Sequence, residues 1–168
     1  PICKLDLFYA GDFNFARSRR TQLHTLREVV VRNTHEGLRH DIQWVQQASY
    51  AAALIEQTTE TDTPLPEIYA LYAGLLGFLP RQPARPRTVF AFELKLLREL
   101  GMEPDTSETR LSDSASEVLT ALLELDWAEL PGLTPTAGQV RELQQFLHGF
   151  LIFHLGKLPK GRHAALTG

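Results

Sequence analysis

The chain contains a single cysteine, Cys3, among 168 residues. One thiol cannot close an intramolecular disulfide or supply a cysteine zinc cage, so this composition excludes disulfide-stabilised secreted domains and structural zinc modules. We predict that Cys3 is a small packed side chain, because its neighbours in the sequence offer no base to activate a nucleophile. The sequence also lacks an apolar run of about 18 residues, the length that a membrane-spanning helix needs.

Catalytic and cofactor-binding motifs are missing as well. The sequence contains no GxxxxGK[ST], no GxGxxG after a strand, no HExxH and no GxSxG. His148 and His154 are six positions apart, which separates them by about 120° around a helix and disfavours a shared metal ion. We therefore predict a protein that is not an enzyme and that holds neither a metal nor a cofactor.

Charge of one sign is not in large excess, since the net charge is only −3. Its distribution is uneven, however. Residues 1–40, 81–98 and 131–168 carry an excess of basic side chains, and the two stretches between them carry an excess of acidic ones. A nearly neutral total can therefore conceal a basic binding surface.

The spacing of apolar residues changes once along the chain. Period-two alternation over residues 4–9 and 21–29 predicts two strands, with a turn at Gly11 and Asp12 and a polar loop over residues 17–20. From residue 38 onward the period is 3.6 and predicts five main helices. The expected fold is mainly α, with a strand pair in a first region, 1–32, and a helical domain over 33–168.

Prolines, glycines and capping residues delimit the predicted helices. The first helix has an apolar stripe that runs from Leu38 through Ile42 and Ser49 to Ile55. The residues expected at helix boundaries are Thr58, Pro66, Pro80, Gly101, Thr136, Gly156 and a capping box from Ser114 to Glu117.

Two basic clusters are candidates for contact with nucleic acid. Arg17, Arg19 and Arg20 lie in the predicted loop between the strands, near Phe13 and Phe15. Guanidinium groups bind phosphates and aromatic rings stack on bases, so this loop is a predicted DNA contact; a solvated loop accounts for the same residues equally well.

The second basic cluster follows the last predicted helix and consists of Lys157, Lys160 and Arg162. We predict that these cations also contact DNA. The alternative is that they only interact with the dipole at the C-terminal end of the helix, which cations do whatever the function.

Four segments occur in an order and at a spacing that resemble the RecO family of bacterial recombination and repair proteins. These segments are Leu23–Glu28, Tyr50–Glu56, Phe92–Pro104 and His154–Lys160. The resemblance covers essentially the whole chain, and Phe92–Pro104 is its most specific part. It implies an N-terminal OB-fold, of which residues 1–32 would be only the last strands, followed by a helical domain. The four cysteines that often hold zinc in this family are missing after Pro104.

The resemblance also implies a function. A RecO-like protein is a mediator without catalytic activity that binds single- and double-stranded DNA and the C-terminal tail of single-strand-binding protein. It helps to load the RecA recombinase together with RecR, which it would contact mainly through the OB-fold part that is missing here. A cytoplasmic, nucleoid-associated bacterial protein with no membrane partner is expected. A helical scaffold or dimerisation module with no direct DNA role is the alternative, and a small-molecule enzyme would instead show a concave pocket with converging polar groups.

A receptor for the tail of single-strand-binding protein needs an apolar slot for an aromatic ring and a cation for a carboxylate. The basic segment 81–98 supplies both ingredients, because a helix there would place Lys95 and Arg98 beside an apolar face. The residues predicted to form this pocket are Arg87, Val89, Phe90, Phe92, Lys95 and Arg98. The alternative is that the apolar side chains are core and the cations are solvated.

Overall fold

The computed structural model describes residues 4–21, 23–106 and 109–167. In this part of the chain, a two-stranded antiparallel sheet and six α-helices confirm the mainly helical fold. The chain divides into two compact units, one up to Gly37 and one from Leu38 onward. The predicted boundary after residue 32 falls one residue before the end of the second strand. Cys3 lies outside the described residues.

The strand pair consists of β1, Ala10–Ala16, and β2, Thr25–Asn33. Gly11 and Asp12 lie inside β1, so the prediction of a turn at these residues is wrong. A Cβ atom on Gly11 would stand 2.5 Å from the carbonyl oxygen of Val30 on β2. Glycine is therefore required here by the close approach of two strands, and not by a change of chain direction.

The register of the pair gives the hairpin one apolar face. Phe13 pairs with Val29 and Phe15 pairs with Leu26, so the register skips one residue and Arg27 forms a bulge. An inserted residue moves the side chains that follow it to the opposite face of a strand. The bulge therefore puts Leu26 and Val29 on the same face as the two phenylalanines, each of which is 46% exposed.

The helical unit contains all six α-helices of the described residues. They are α1 Ile42–Thr58, α2 Pro66–Phe78, α3 Pro86–Glu99, α4 Asp113–Glu124, α5 Ala137–Leu155 and α6 Arg162–Leu166. Short 3-10 helices occur at Glu36–His40, Leu79–Arg81 and Leu130–Gly132. The short helix α6 is additional to the five that the sequence predicts. None of these helices is long and apolar enough to cross a membrane.

Most of the predicted helix boundaries are confirmed. They are those at Thr58, Pro66, Gly101, Thr136 and Gly156, while Pro80 lies in the 3-10 helix that follows α2. The predicted capping box of the fourth helix is wrong, because the N-cap is Ser112, whose hydroxyl accepts the amide of Ala115 at 3.3 Å. The predicted box at Ser114 lies inside the first turn of α4.

The buried face of α1 differs from the predicted stripe. Ile42 is 68% exposed and Ser49 is exposed, whereas Gln47, Tyr50 and Leu54 are buried. Two of these three buried residues are polar and use their polar atoms inside the unit. A hydrophobic pattern cannot reveal a buried face that contains polar residues. The predicted helical period of α1 is therefore right, but the predicted buried face is wrong.

Helix α3 lies at the centre of the helical unit and contacts all five other α-helices. Its side chains from Thr88 to Leu94 are buried, and so are Leu96 and Leu97. Nine of the 14 residues of α3 are therefore buried, and the unbroken run from Thr88 to Leu94 covers every side of the helix over almost two turns. The buried residues include Val89, Phe90 and Phe92, which the sequence assigned to the tail pocket.

Candidate nucleic-acid interface and partner groove

The loop between β1 and β2 is organised around Ser18. Its hydroxyl oxygen accepts hydrogen bonds from the amides of Arg20 and Thr21, each at 3.2 Å. The amide of Ser18 donates to Nδ1 of His24 at 3.3 Å. These bonds fix the backbone of the loop, and the side chains of Arg19 and Arg20 extend from it as exposed groups.

Aromatic rings adjoin this arginine loop. Phe15 stacks on His24 with ring centroids 5.4 Å apart and planes 5° apart. Phe13 lies on the same face of the hairpin, and Arg17 follows directly after β1 and is exposed. Exposed rings beside guanidinium groups can contact bases and phosphates at the same time.

Arg32 is an arginine of β2 that lies outside the loop and forms an ion pair. The guanidinium of Arg32 donates to the carboxylate of Asp12 at 2.6 and 2.8 Å. Both side chains are exposed, so the pair contributes little to stability. It nevertheless neutralises the charge of Arg32 locally.

The second predicted DNA cluster is divided by the structure. Lys157 and Lys160 are exposed after the end of α5, and the amide of Gln57 holds the carbonyl oxygen of Lys157 at 2.5 Å. Arg162 is only 7% exposed, because its guanidinium points into the helical unit. The expectation that Arg162 belongs to a surface cluster is therefore corrected.

Arg162 forms a buried network with Glu93 and Tyr50. Its Nε and Nη2 donate to the two carboxylate oxygens of Glu93 at 2.7 and 2.9 Å, and the Tyr50 hydroxyl donates to Glu93 at 2.6 Å. Burial, followed by the charge of Glu93, raises the pKa of Tyr50. Burial disfavours the charged form of Arg162, but the hydrogen bonds and charge of Glu93 outweigh it and raise its pKa. The network joins α6 and α1 to α3.

The apolar part of the predicted tail pocket is not at the surface. Val89, Phe90 and Phe92 are 3%, 1% and 1% exposed, because α3 is enclosed by other helices. No ring from a partner can reach them in this packing. Their assignment to a pocket is therefore corrected, and they are core residues.

Two cations of the same predicted pocket complete a helix end. Lys95 Nζ donates to the carbonyl oxygen of Leu123 at 2.7 Å, and Arg98 donates to the same oxygen at 3.3 Å. Cations at this position donate hydrogen bonds to the last carbonyl groups of α4 and interact favourably with the negative end of its dipole. Burial and the charge of Arg98 lower the pKa of Lys95.

Arg98 is further held by carboxylates. It donates to Glu103 and to Glu124, with N···O distances of 2.5 Å in both ion pairs. These hydrogen bonds raise its pKa. Lys95 and Arg98 are therefore engaged in contacts within the helical unit, where the sequence predicted a surface for a partner.

The remaining cation of the predicted pocket, Arg87, borders an open groove of about 500 Å³. The groove is lined by Arg85, Pro86, Arg87, Thr134, Pro135, Ala137 and Val140. It contains the first turns of α3 and α5, and neither turn carries an acidic residue. Two helix N-termini and two arginines make this groove electropositive. Burial and the neighbouring charge of Arg85 lower the pKa of Arg87, as expected where cations accumulate.

Arg87 is held in place at the edge of this groove. Its Nη1 donates to the carbonyl oxygen of Leu133 at 3.0 Å, and its Nη2 donates to Gln82 Oε1 at 3.3 Å. Arg85 is exposed at the N-cap of α3. The groove thus combines one fixed cation and one exposed cation with the apolar surface of Pro135 and Val140.

Sequence reasoning missed the α5 side of this groove and the role of Ser18. Both have a sequence signal. Two predicted helices that each begin without an acidic residue in the first turn indicate unneutralised N-termini. A serine two residues before Arg20 in a polar loop is typical of a hydroxyl that bonds to the backbone of its own turn.

The part of the chain that the structure describes shows no group of three or more His, Cys, Asp or Glu residues that could hold a metal ion. The absence of zinc from the purified protein stays a prediction. Cys3, which the sequence assigns to packing, lies outside the described residues.

Comparison with known proteins gives one consistent result. A family model described as recombination protein O C terminal matches residues 39–109. A DNA repair protein RecO from Anaeromyxobacter sp. (strain Fw109-5) is 38% identical over 79 residues, which are 47% of this chain and 31% of that protein. A DNA repair protein RecO from Pelobacter propionicus is 30% identical over 130 residues, 77% of this chain and 52% of that protein.

A further match is found to a DNA repair protein RecO from Anaeromyxobacter sp. (strain K). It is 30% identical over a match that covers 72% of this chain and 61% of that protein. The chain therefore spans between 31% and 61% of the length of these three curated relatives.

Proposed function

The chain belongs to the RecO family, and we propose that it acts in DNA repair and recombination as a mediator without catalytic activity. In this proposal it binds DNA and single-strand-binding protein and, as part of the whole protein, helps RecR to load RecA. The bacterial cytoplasm and its nucleoid are the proposed location. The observation that carries the proposal is the exposed arginine loop, whose backbone is held by Ser18 beside the stacked rings of Phe15 and His24.

DNA contact is proposed for five cations. They are Arg17, Arg19, Arg20, Lys157 and Lys160. Each can neutralise a phosphate and release a counterion, which gives affinity for any sequence and a strong dependence on salt. Arg162 is left out, since breaking its buried bonds with Glu93 to reach a phosphate would leave a buried carboxylate without its counterion.

The tail of single-strand-binding protein is proposed to bind in the groove between the first turns of α3 and α5. Its acidic residues and terminal carboxylate complement Arg85 and Arg87 and the two helix N-termini. Its terminal ring would contact the apolar surface of Pro135 and Val140. This proposal keeps Arg87 from the sequence-based pocket and replaces its buried apolar residues with the partly exposed Pro135 and Val140.

The experiment that tests the main proposal is the affinity of the chain for labelled single-stranded and duplex DNA, measured at two salt concentrations. We expect binding to both forms that weakens steeply as salt rises. If the chain binds neither form at low salt, the proposal is wrong and a helical scaffold without a DNA role becomes the better interpretation.

A further inference from the structure

Helix α5 carries a line of aromatic rings that the proposed function does not use. Phe146, Phe150 and His154 follow one another at four-residue spacing, with ring centroids 5.6 and 4.3 Å apart. Phe153 meets His154 edge-on at 5.0 Å. These four residues form the α5 aromatic stripe. Spacings of three and four residues place them along one side of the helix.

The α5 aromatic stripe is open to solvent. Phe153 is 84% exposed, His154 is exposed, and Phe146 and Phe150 are partly exposed. At Gly149, beside them on the helix, no atom of another described element lies within 4 Å of the position that a Cβ would take, so that part of α5 is uncovered by the described residues. Large apolar rings that are exposed together on a rigid helix are typical of an interaction surface.

The charge around the stripe indicates the kind of partner. Residues 143–168 contain no aspartate and no glutamate. The exposed cations Lys157 and Lys160 follow the last ring of the stripe directly after α5 ends. The second half of α5 and the segment after it therefore offer aromatic rings and lysines without a carboxylate of their own, and this combination complements a polyanion that carries flat apolar groups.

We infer that the α5 aromatic stripe is a stacking platform for the bases of single-stranded nucleic acid, whose phosphates are held by Lys157 and Lys160. The inference rests on the proposed function and assigns it a second contact surface. Unpaired bases stack on aromatic side chains whatever their sequence, whereas the bases of a duplex are stacked on one another and unavailable. The stripe therefore distinguishes single strands from duplexes, which phosphate contacts alone do not.

The length of the stripe suits a short run of nucleotides. Phe146 and Phe153 are seven positions apart, which corresponds to about 10 Å along a helix. A single strand that follows the helix can stack about two or three bases over this distance. A second copy of this chain fits the surface less well, because it would bring two carboxylate-free segments with the same positive charge together.

The test compares Phe153→Ala with Ile152→Ala. Ile152 is the neighbouring exposed apolar residue of α5 and is 41% exposed. The probes are a labelled 20-nucleotide oligothymidylate and a 20-base-pair duplex, each measured by fluorescence anisotropy with the full chain at several salt concentrations. Phe153→Trp is a third variant, which restores a ring that can stack.

We expect Phe153→Ala to weaken binding of the oligothymidylate about tenfold, with an unchanged salt slope, because stacking is not ionic. Duplex affinity stays the same, Ile152→Ala behaves as wild type, and Phe153→Trp binds as wild type or more tightly. Lys157→Ala combined with Lys160→Ala weakens both probes and flattens both salt slopes.

Two results overturn the inference and leave the proposed function standing. One is an unchanged oligothymidylate affinity of Phe153→Ala while alanine variants of the arginine loop bind more weakly. The other is a wild-type dimer, seen in sedimentation, that Phe153→Ala dissociates without changing DNA affinity, which would assign the stripe to self-association. If wild type binds neither probe, the inference and the proposed function fail together.

Discussion

Glu93 and Arg162 lie 69 positions apart in the sequence, and two hydrogen bonds of 2.7 and 2.9 Å join their side chains inside the helical unit. Glu93 is fully buried and Arg162 is 7% exposed. The pair attaches the short helix α6 to the central helix α3. Arg162, which the sequence analysis assigned to DNA contact, therefore holds the last helix in the fold.

The first prediction concerns this pair. Glu93→Gln leaves the Arg162 charge in a buried site without a counterion, and we expect the free energy of unfolding to fall by about 3–5 kcal/mol. Glu124→Gln is the matched control, since Glu124 pairs with Arg98 at the surface and its loss should cost less than about 1 kcal/mol. Urea unfolding of both variants measures the difference. Equal losses would show that the buried pair has no special role.

The second prediction concerns alkaline pH. Burial and Glu93 raise the pKa of Tyr50 in the folded protein, so the folded state holds the phenol proton more tightly than the unfolded state. The resulting stability is complete below the ordinary tyrosine pKa of about 10 and is lost as pH rises towards the raised value. Tyr72, whose pKa burial also raises, contributes in the same direction.

Unfolding in urea between pH 8 and pH 11 tests this pH dependence. Tyr50→Phe should flatten the alkaline decline in stability, because it removes the titrating phenol. Tyr69→Phe is the control, since Tyr69 is 64% exposed and is not part of the buried network with Glu93. An alkaline decline of the same steepness in Tyr50→Phe and wild type would contradict the buried network.

The third prediction concerns the arginine loop. Replacement of Arg17, Arg19 and Arg20 by alanine should weaken DNA binding about equally for all sequences. The slope of affinity against salt should flatten by up to about 3 units, because each lost phosphate contact removes about 0.7–0.9 unit. Arg32→Ala is the control, because Asp12 already neutralises this arginine on the same hairpin. A slope that the triple variant does not change would mean that the loop does not touch phosphate.

The fourth prediction separates the groove from the pocket that the sequence indicates. The probe is an acidic peptide that ends in phenylalanine with a free carboxylate. Arg85→Glu, at an exposed position, should abolish binding of this peptide, and high salt should weaken it for wild type. Lys95→Ala should lower the melting temperature through loss of its bond to Leu123, and should leave peptide affinity unchanged.

An amidated form of the same peptide is the ligand control and should bind more weakly, because it lacks the terminal charge. The opposite pattern, in which Lys95→Ala loses the peptide and Arg85→Glu retains it, would exclude the groove as the site and would point back to the surface around α3 and α4.

Sequence patterns predicted the helices better than the surfaces. Prolines, glycines and caps act on the local backbone, so Pro66, Gly101 and Thr136 mark their boundaries without knowledge of the rest of the fold. The faces of helices depend on tertiary packing. Gln47 and Tyr50 face the interior although they are polar, because their hydrogen-bond partners lie on other helices.

The same reason explains the corrections to the candidate sites. Arg162 and Lys160 look alike in sequence, and only the distant carboxylate of Glu93 buries one of them. Phe92 is indistinguishable from a pocket residue until five helices enclose α3. The arginine loop was predictable because it depends on local residues, among which Ser18 supplies the hydrogen bonds.

The enclosure of α3 also has a consequence for how this chain diverges. Because α3 contacts all five other α-helices, a change of size at any of its nine buried positions requires a second element to change with it. An exposed position such as Tyr69 on α2, which is 64% exposed, meets no such requirement. Segment 92–104, of which residues 92–99 belong to α3, is therefore the part of the chain that distant relatives should retain in recognisable form.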